Sequence, residues 1–319
     1  MSIEALIGVI LPVFGLIGIG YLVVWVGLIG EEVGDALTDF VFKVSLPLLL
    51  FRTLATVGWP DESPWPFWLA YFSGVAVVWW LSGAIIRRGF GRDARAAVVA
   101  GMSAGYSNIV LLGVPVVNQA YGDEGLVVIL VLVSVHLSVM MTASAVQTEL
   151  AQQRDGLSQE RIDPMGIARR VLLALIQNPI ILGTLAGALF SASGFAFEGV
   201  PRTLVDRIAD IAIPSALLAL GMGLRRYGLR GSIGPALAIS VLKLFVLPAI
   251  VFVMARYVVQ LPPLYVAVAT LVAGCPTGVN AYLIAARIGT GQALSATAIT
   301  VTTAGSVLTI GLWLAVVTG

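Results

Sequence analysis

GMSAGYSNIVLLGVPVV, residues 101–117, and VAGCPTGVNAYLIAARIG, residues 272–289, decide the fold. Each lies in a long apolar run, yet each carries helix breakers and a side-chain amide. A Gly-xxx-Gly pair opens both (Gly101 and Gly105; Gly274 and Gly278), a proline follows the first glycine (Pro115; Pro276), and an asparagine sits close by (Asn108; Asn280). Proline lacks the amide hydrogen of a helix ladder and clashes with the preceding turn. A broken backbone exposed to lipid is forbidden, so such segments must face protein or a water-filled cavity. The freed amides and carbonyls then become ligands, joined by Ser107, Asn108, Thr277 and Asn280. Two kinked packing helices would carry similar signals. The matching placement of both segments favours a binding role.

The rest of the chain sets these segments in a membrane. Of 319 residues, 59% are apolar and only 11% charged, against about 25% charged in ordinary soluble domains. Mean hydropathy is +0.99. This excludes a soluble enzyme, a nucleic-acid binder and a disordered chain. A net charge of +1 gives no reason to expect a polyanionic partner. Cys275 is the single cysteine and His136 the single histidine, so neither an internal disulfide nor a Cys- or His-cluster metal site is expected. There is no phosphate-cradling Gly-Lys-Ser/Thr motif and no paired nucleophile and base. The expectation is therefore no enzyme, no cofactor and no metal.

A span needs about 20 mostly apolar residues. Ten runs qualify, roughly 4–27, 33–57, 65–88, 93–121, 124–150, 166–192, 202–224, 232–259, 263–288 and 292–318. Loops after odd-numbered spans hold twelve arginines, within 87–95, 154–170, 225–230 and at Arg287; the opposite loops hold Arg202, Arg207 and Arg256. The positive-inside rule then places both termini outside. Trp59, Trp65 and Trp68 read as anchors at the outer boundary.

Landmarks recur 167 residues apart: Pro12 and Pro179, Gly20 and Gly187, Pro47 and Pro214, Gly122 and Gly289. The chain therefore divides into a first five-helix repeat at 1–150, a connecting cytoplasmic loop at 151–165 and a second repeat at 166–319. Five spans per half invert the second half relative to the first, a plan of secondary transporters.

SNIVLLGVPVV resembles the span-4 motif of the auxin efflux carrier family, and CPTGVNAYLIAARIG its span-9 motif. Length and span count agree along essentially the whole chain. The resemblance implies a fold like that of bile-acid sodium symporters, with spans 1, 2, 6 and 7 as a scaffold. Spans 3–5 and 8–10 would form a transport domain in which spans 4 and 9 cross. Asn108, Gly113, Pro115, Pro276, Gly278 and Asn280 fall at or beside that crossing by the motif match. The short connecting loop resembles that of bacterial members annotated for malonate or other organic acids, which implies the bacterial inner membrane. A homodimer through the scaffold is also implied.

Ionisable groups at membrane depth are costly and functional by default. Asp39 and Lys43 sit four apart on one helix face, as a neutralising pair or with Lys43 turned to a substrate cavity. Lys243 has no acidic residue within a turn and reads as an anion or coupling residue. His136 could relay a proton or make one interhelical hydrogen bond. Arg52 is expected to snorkel. The sequence thus points to an all-α, multi-pass carrier of a small organic anion, working by alternating access with proton or sodium coupling open. The alternatives are a sodium-coupled symporter or cation/proton antiporter of the same plan, and a receptor that binds without transporting.

Overall fold

The computed structural model describes residues 3–59, 62–157, 164–229, 231 and 233–319. The middle of the expected connecting loop, 158–163, lies outside these residues, as do Arg161 and Arg230.

The described residues are helical, with no strand beyond an isolated two-residue bridge. The helices are α1 (Ile3–Trp25), α2 (Glu31–Val57), α3 (Pro64–Gly89), α4 (Ala94–Gly105), α5 (Ile109–Arg154) and α6 (Pro164–Ile176). They continue as α7 (Pro179–Ala192), α8 (Gly199–Tyr227), α9 (Ile233–Val258), α10 (Pro263–Gly274), α11 (Asn280–Ile288) and α12 (Gln292–Thr318). Seven of them, α1, α2, α3, α5, α8, α9 and α12, are long and apolar enough to cross a membrane. The shorter α7 and α10 are also apolar.

Helix α5 is longer than one crossing. A straight helix of its 46 residues would run about 69 Å, more than twice the roughly 30 Å hydrocarbon core. Gly122 interrupts it with φ 59° and ψ −148°, a conformation closed to residues with a Cβ, so the chain changes course there.

Two other helices contain π-turns at a lysine, α2 at Val41–Ser45 and α9 at Leu242–Val246. In each a proline follows shortly, Pro47 and Pro248. A proline cannot donate to the carbonyl four residues back. The ladder widens locally, and such bulges often lie at functional sites.

The chain forms two compact units. The first comprises residues 1–64, 110–135 and 173–226. Within it α1 and α8 approach so closely that a side chain at Gly20 would strike Leu218 O, and one at Gly221 would strike Ile17 O. Helices α2 and α7 do the same where Gly183 meets Pro47 O and Gly187 meets Phe51 O. Arg52 bonds Asp210 at 2.6 Å and lies 3.6 Å from Asp206, so it is tied into ion pairs between helices and does not simply snorkel. The second unit comprises residues 65–109, 136–172 and 227–319, and holds α3, α4, α9, α10, α11 and α12 with the second part of α5.

Candidate functional site

The site starts where α4 and α10 stop. Tyr106 and Cys275 follow their last turns in extended conformations, φ −87° and ψ 106° for Tyr106 and φ −63° and ψ 151° for Cys275. Cys275 precedes Pro276, and a residue before proline is driven out of the helical region. The two extended segments then pair antiparallel at Ser107 and Thr277. Asn108 N donates to Pro276 O at 2.8 Å, and Gly278 N donates to Tyr106 O at 2.9 Å. Further bonds match the groups that the breaks release. Thr302 Oγ1 accepts from Thr277 N at 3.0 Å, and Thr277 Oγ1 donates to Ser103 O at 2.7 Å. This accounting keeps an irregular backbone tolerable away from water.

Gly278 is required by the pairing. A Cβ there would lie 2.5 Å from two ring carbons of Tyr106. The other glycines of the Gly-xxx-Gly pairs do different work from that expected. Gly101 lies against the Trp79 indole, Gly105 against Val75 and Met140, and Gly274 against Trp313. They admit neighbouring helices, and Gly278 alone of the four faces the partner segment.

Lys243 lies beside the bridge with no exposed surface. Its Nζ donates to Ala273 O at 2.6 Å and to Ser107 Oγ at 2.8 Å. Ala273 belongs to the last turn of α10, whose carbonyls carry the negative end of the helix dipole. No ion pair joins Lys243 to a carboxylate among the described residues. A cation at the centre of a span costs about 2.5–3.5 kcal/mol on insertion scales, so a lysine held without a carboxylate is a candidate functional position.

Around Ser107 the hydrogen bonds continue. Tyr71 Oη donates to Ser107 Oγ at 2.9 Å and lies 3.2 Å from His136 Nε2. The His136 ring stacks on Tyr106, centroids 4.9 Å apart, and Tyr106 Oη accepts from Asn280 Nδ2 at 2.7 Å. Ser107, Asn108, Pro276, Thr277, Gly278, Asn280, His136 and Lys243 all belong to the second unit. Gly113 and Pro115 do not. They end the π-turn Ile109–Gly113 and open the helix after it, within the first unit. Lys43 and Asp39 also belong to the first unit and pair at 2.5 Å with 63% and 67% of their side chains exposed.

Sequence reasoning missed Tyr71, Tyr106 and Trp313. Tyr106 carried a signal, lying between Gly105 and Ser107 at the break itself. Tyr71 is one aromatic residue in an apolar helix, and only the fold reveals its two partners. Among the described residues no three His, Cys, Asp or Glu side chains gather as metal ligands.

Outside the spans, Asp155 braces the start of α4. Burial alone would raise its carboxyl, but bonds from Ala94 N, Arg95 N and Arg95 Nε (3.1–3.2 Å) and the guanidinium charge outweigh it. The group is held below the usual carboxylate range. Asp93 caps the same helix, accepting from Ala96 N at 2.7 Å.

A membrane protein with two broken helices paired in this way can be compared with known proteins. The family described as membrane transport protein, that of the auxin efflux carriers, matches residues 5–314. The chain belongs to this family. Within the transport family, it is 28% identical over 313 residues to a Rhizobium meliloti (strain 1021) protein named "Putative malonate transporter", covering 95% of this chain and 93% of the relative. It is 26% identical over 310 residues to an "Uncharacterized transporter" of Methanothermobacter thermautotrophicus, covering 95% and 96%. A mouse "Lysosomal cholesterol signaling protein" is 25% identical over 232 residues, which are 70% of this chain and 26% of that longer protein. The protein is thus an integral, multi-pass member of a transport family.

Proposed function

We propose that the protein is a secondary carrier of a small organic anion, a carboxylate, bound beside the bridge between Tyr106–Asn108 and Pro276–Gly278 and moved by alternating access. One observation carries the reading: a fully buried lysine, without a carboxylate partner among the described residues, beside two interrupted helices joined by backbone bonds. In this reading Lys243 supplies the positive field, and Asn108, Asn280, Ser107 and Thr277 supply polar contacts. Asn108 and Asn280 are the decisive pair, because each can donate and accept at membrane depth.

The proposal includes ten spans in two inverted halves, about 1–150 and 166–319, with α5 crossing twice about Gly122. A contact within the first unit supports the repeat. Gly20 against Leu218 becomes Gly187 against Phe51 when each residue is replaced by its counterpart 167 positions away. The second unit would act as the moving transport domain and the first as the scaffold, which is also where a homodimer would form. Both termini would lie outside, in a bacterial inner membrane. The name of the Rhizobium relative makes malonate the first substrate to try.

The test is uptake of labelled small carboxylates, malonate first, into liposomes containing the purified protein. Uptake that saturates and is lost in Asn108→Ala supports the reading. Stabilisation by a carboxylate without uptake would turn it into a receptor.

A further inference from the structure

Four buried side chains stand in one hydrogen-bonded file: Lys243 Nζ, Ser107 Oγ at 2.8 Å, Tyr71 Oη at 2.9 Å from Ser107, and His136 Nε2 at 3.2 Å from Tyr71. All four lie in the second unit, and none has more than a few per cent of its surface exposed. We propose that this file passes a proton between His136 and Lys243, and that the anion crosses together with the proton held on Lys243. The inference rests on the anion-carrier reading above and adds its coupling ion.

The chemistry of the file suits the task. Its ends are nitrogen bases, and its two middle members are hydroxyls, which donate and accept at once and whose hydrogens rotate. Ser107 from the break after α4 and Ala273 and Cys275 from the end of α10 face Lys243, and Tyr71 from α3, Tyr106 from the same break as Ser107, and His136 from α5 surround the rest of the file. None is a carboxylate. Ala273 O only accepts, so Ser107 is the hydrogen-bonded neighbour through which the amine can exchange a proton. At the far end, Phe72 stacks on His136 at 6.3 Å. Phe72 also lines a cavity of about 780 Å³ with Arg87, Arg88, Arg92 and Arg154 in its wall, so a single ring separates the imidazole from that cavity.

The transfer balances. The Nε2–H bond of an imidazolium breaks as its proton goes to Tyr71 Oη. Tyr71 gives its own hydroxyl proton to Ser107 Oγ, and Ser107 gives its own to a neutral Lys243 Nζ. Each oxygen ends with one hydrogen, and one positive charge has moved from imidazole to amine. A monocarboxylate beside the ammonium, or malonate entering as its monoanion, then makes a neutral pair, so the loaded site crosses without the cost of a lone ion. After the anion leaves, the file run backwards returns the proton to His136, and release of that proton from the imidazole to water leaves the empty site uncharged.

Two measurements test this. In liposomes holding a pH dye, malonate uptake should acidify the interior. Tyr71→Phe, which removes one hydroxyl, should keep thermal stabilisation by malonate while slowing uptake about 100-fold, the scale of a lost proton-transfer step. Lys243→Arg, a permanent cation, should uncouple any remaining uptake from protons. Uptake without acidification in the unmodified protein overturns the proposal and leaves the carrier reading standing. Absence of malonate uptake counts against malonate as substrate, and the second measurement then decides the file. His136 is the single histidine, so isotope labelling gives one imidazole signal. Its pH response should change in both Tyr71→Phe and Lys243→Met; a response unchanged in both overturns the proposal.

Discussion

Trp313 and Pro248 are coupled through a carbonyl that belongs to neither. Pro248 has no amide hydrogen for Leu244 O, and Trp313 Nε1 donates to that oxygen at 2.8 Å. The bond satisfies a carbonyl within the π-turn that carries Lys243, so a residue of α12 braces the turn of α9 that holds the lysine.

Trp313→Phe keeps the ring against Gly274 but leaves Leu244 O without its donor. The expected loss is about 1–3 kcal/mol of stability, the cost of an unsatisfied buried polar group. In a Pro248→Ala background the restored amide can serve Leu244 O, so the same substitution should cost markedly less. Thermal unfolding of the four proteins in detergent measures this. Equal losses in both backgrounds would show that the proline and the indole act independently.

Gly278→Ala places a methyl group where the Tyr106 ring now lies. Overpacking of this kind costs about 1–3 kcal/mol. Here it must also displace the hydroxyl that Asn280 bonds. Uptake should fall more than stability does, and Gly101→Ala, which meets Trp79, should show the opposite balance.

Asn280→Ala and Tyr106→Phe remove opposite ends of one 2.7 Å hydrogen bond. If Asn280 acts only by holding Tyr106, both variants should be equally impaired. The carrier reading expects Asn280→Ala to abolish uptake and Tyr106→Phe to retain part of it, with both proteins folded by size-exclusion chromatography.

Asp155 sets an acid limit. Its carboxyl is held below the ordinary value of about 3.9, so the stability it contributes is fully present above that pH. It is lost as pH falls through the lower folded value. A melting-temperature profile should therefore drop below about pH 4 in the unmodified protein. Asp155→Asn should be less stable at neutral pH and should lose this component of the acid drop.

The sequence exposed the membrane character, the two breaks and the lysine, because each depends on local composition. Proline, glycine and asparagine at 105–115 and 274–280 announce a broken backbone wherever they occur in an apolar run. The partners of those breaks are set by packing and were not legible. Gly101, Gly105 and Gly274 look like Gly278 in sequence, yet they receive side chains from other helices. Likewise Arg52 and Lys43 look alike as basic residues of one helix. Only folding gives Arg52 two acidic partners from α8 and leaves Lys43 with the aspartate one turn away.

The bridge also has a consequence for biogenesis. Thr277 and Ser103, which it brings into contact, are 174 positions apart. When the first half of the chain has left the ribosome, Tyr106 O and Asn108 N have no counterpart, and hydrocarbon offers none. The early chain must keep this stretch near the interface, or shielded by another protein, until α10 and α11 arrive. Newly made molecules truncated before Cys275 should therefore be recognised as incomplete by membrane quality control.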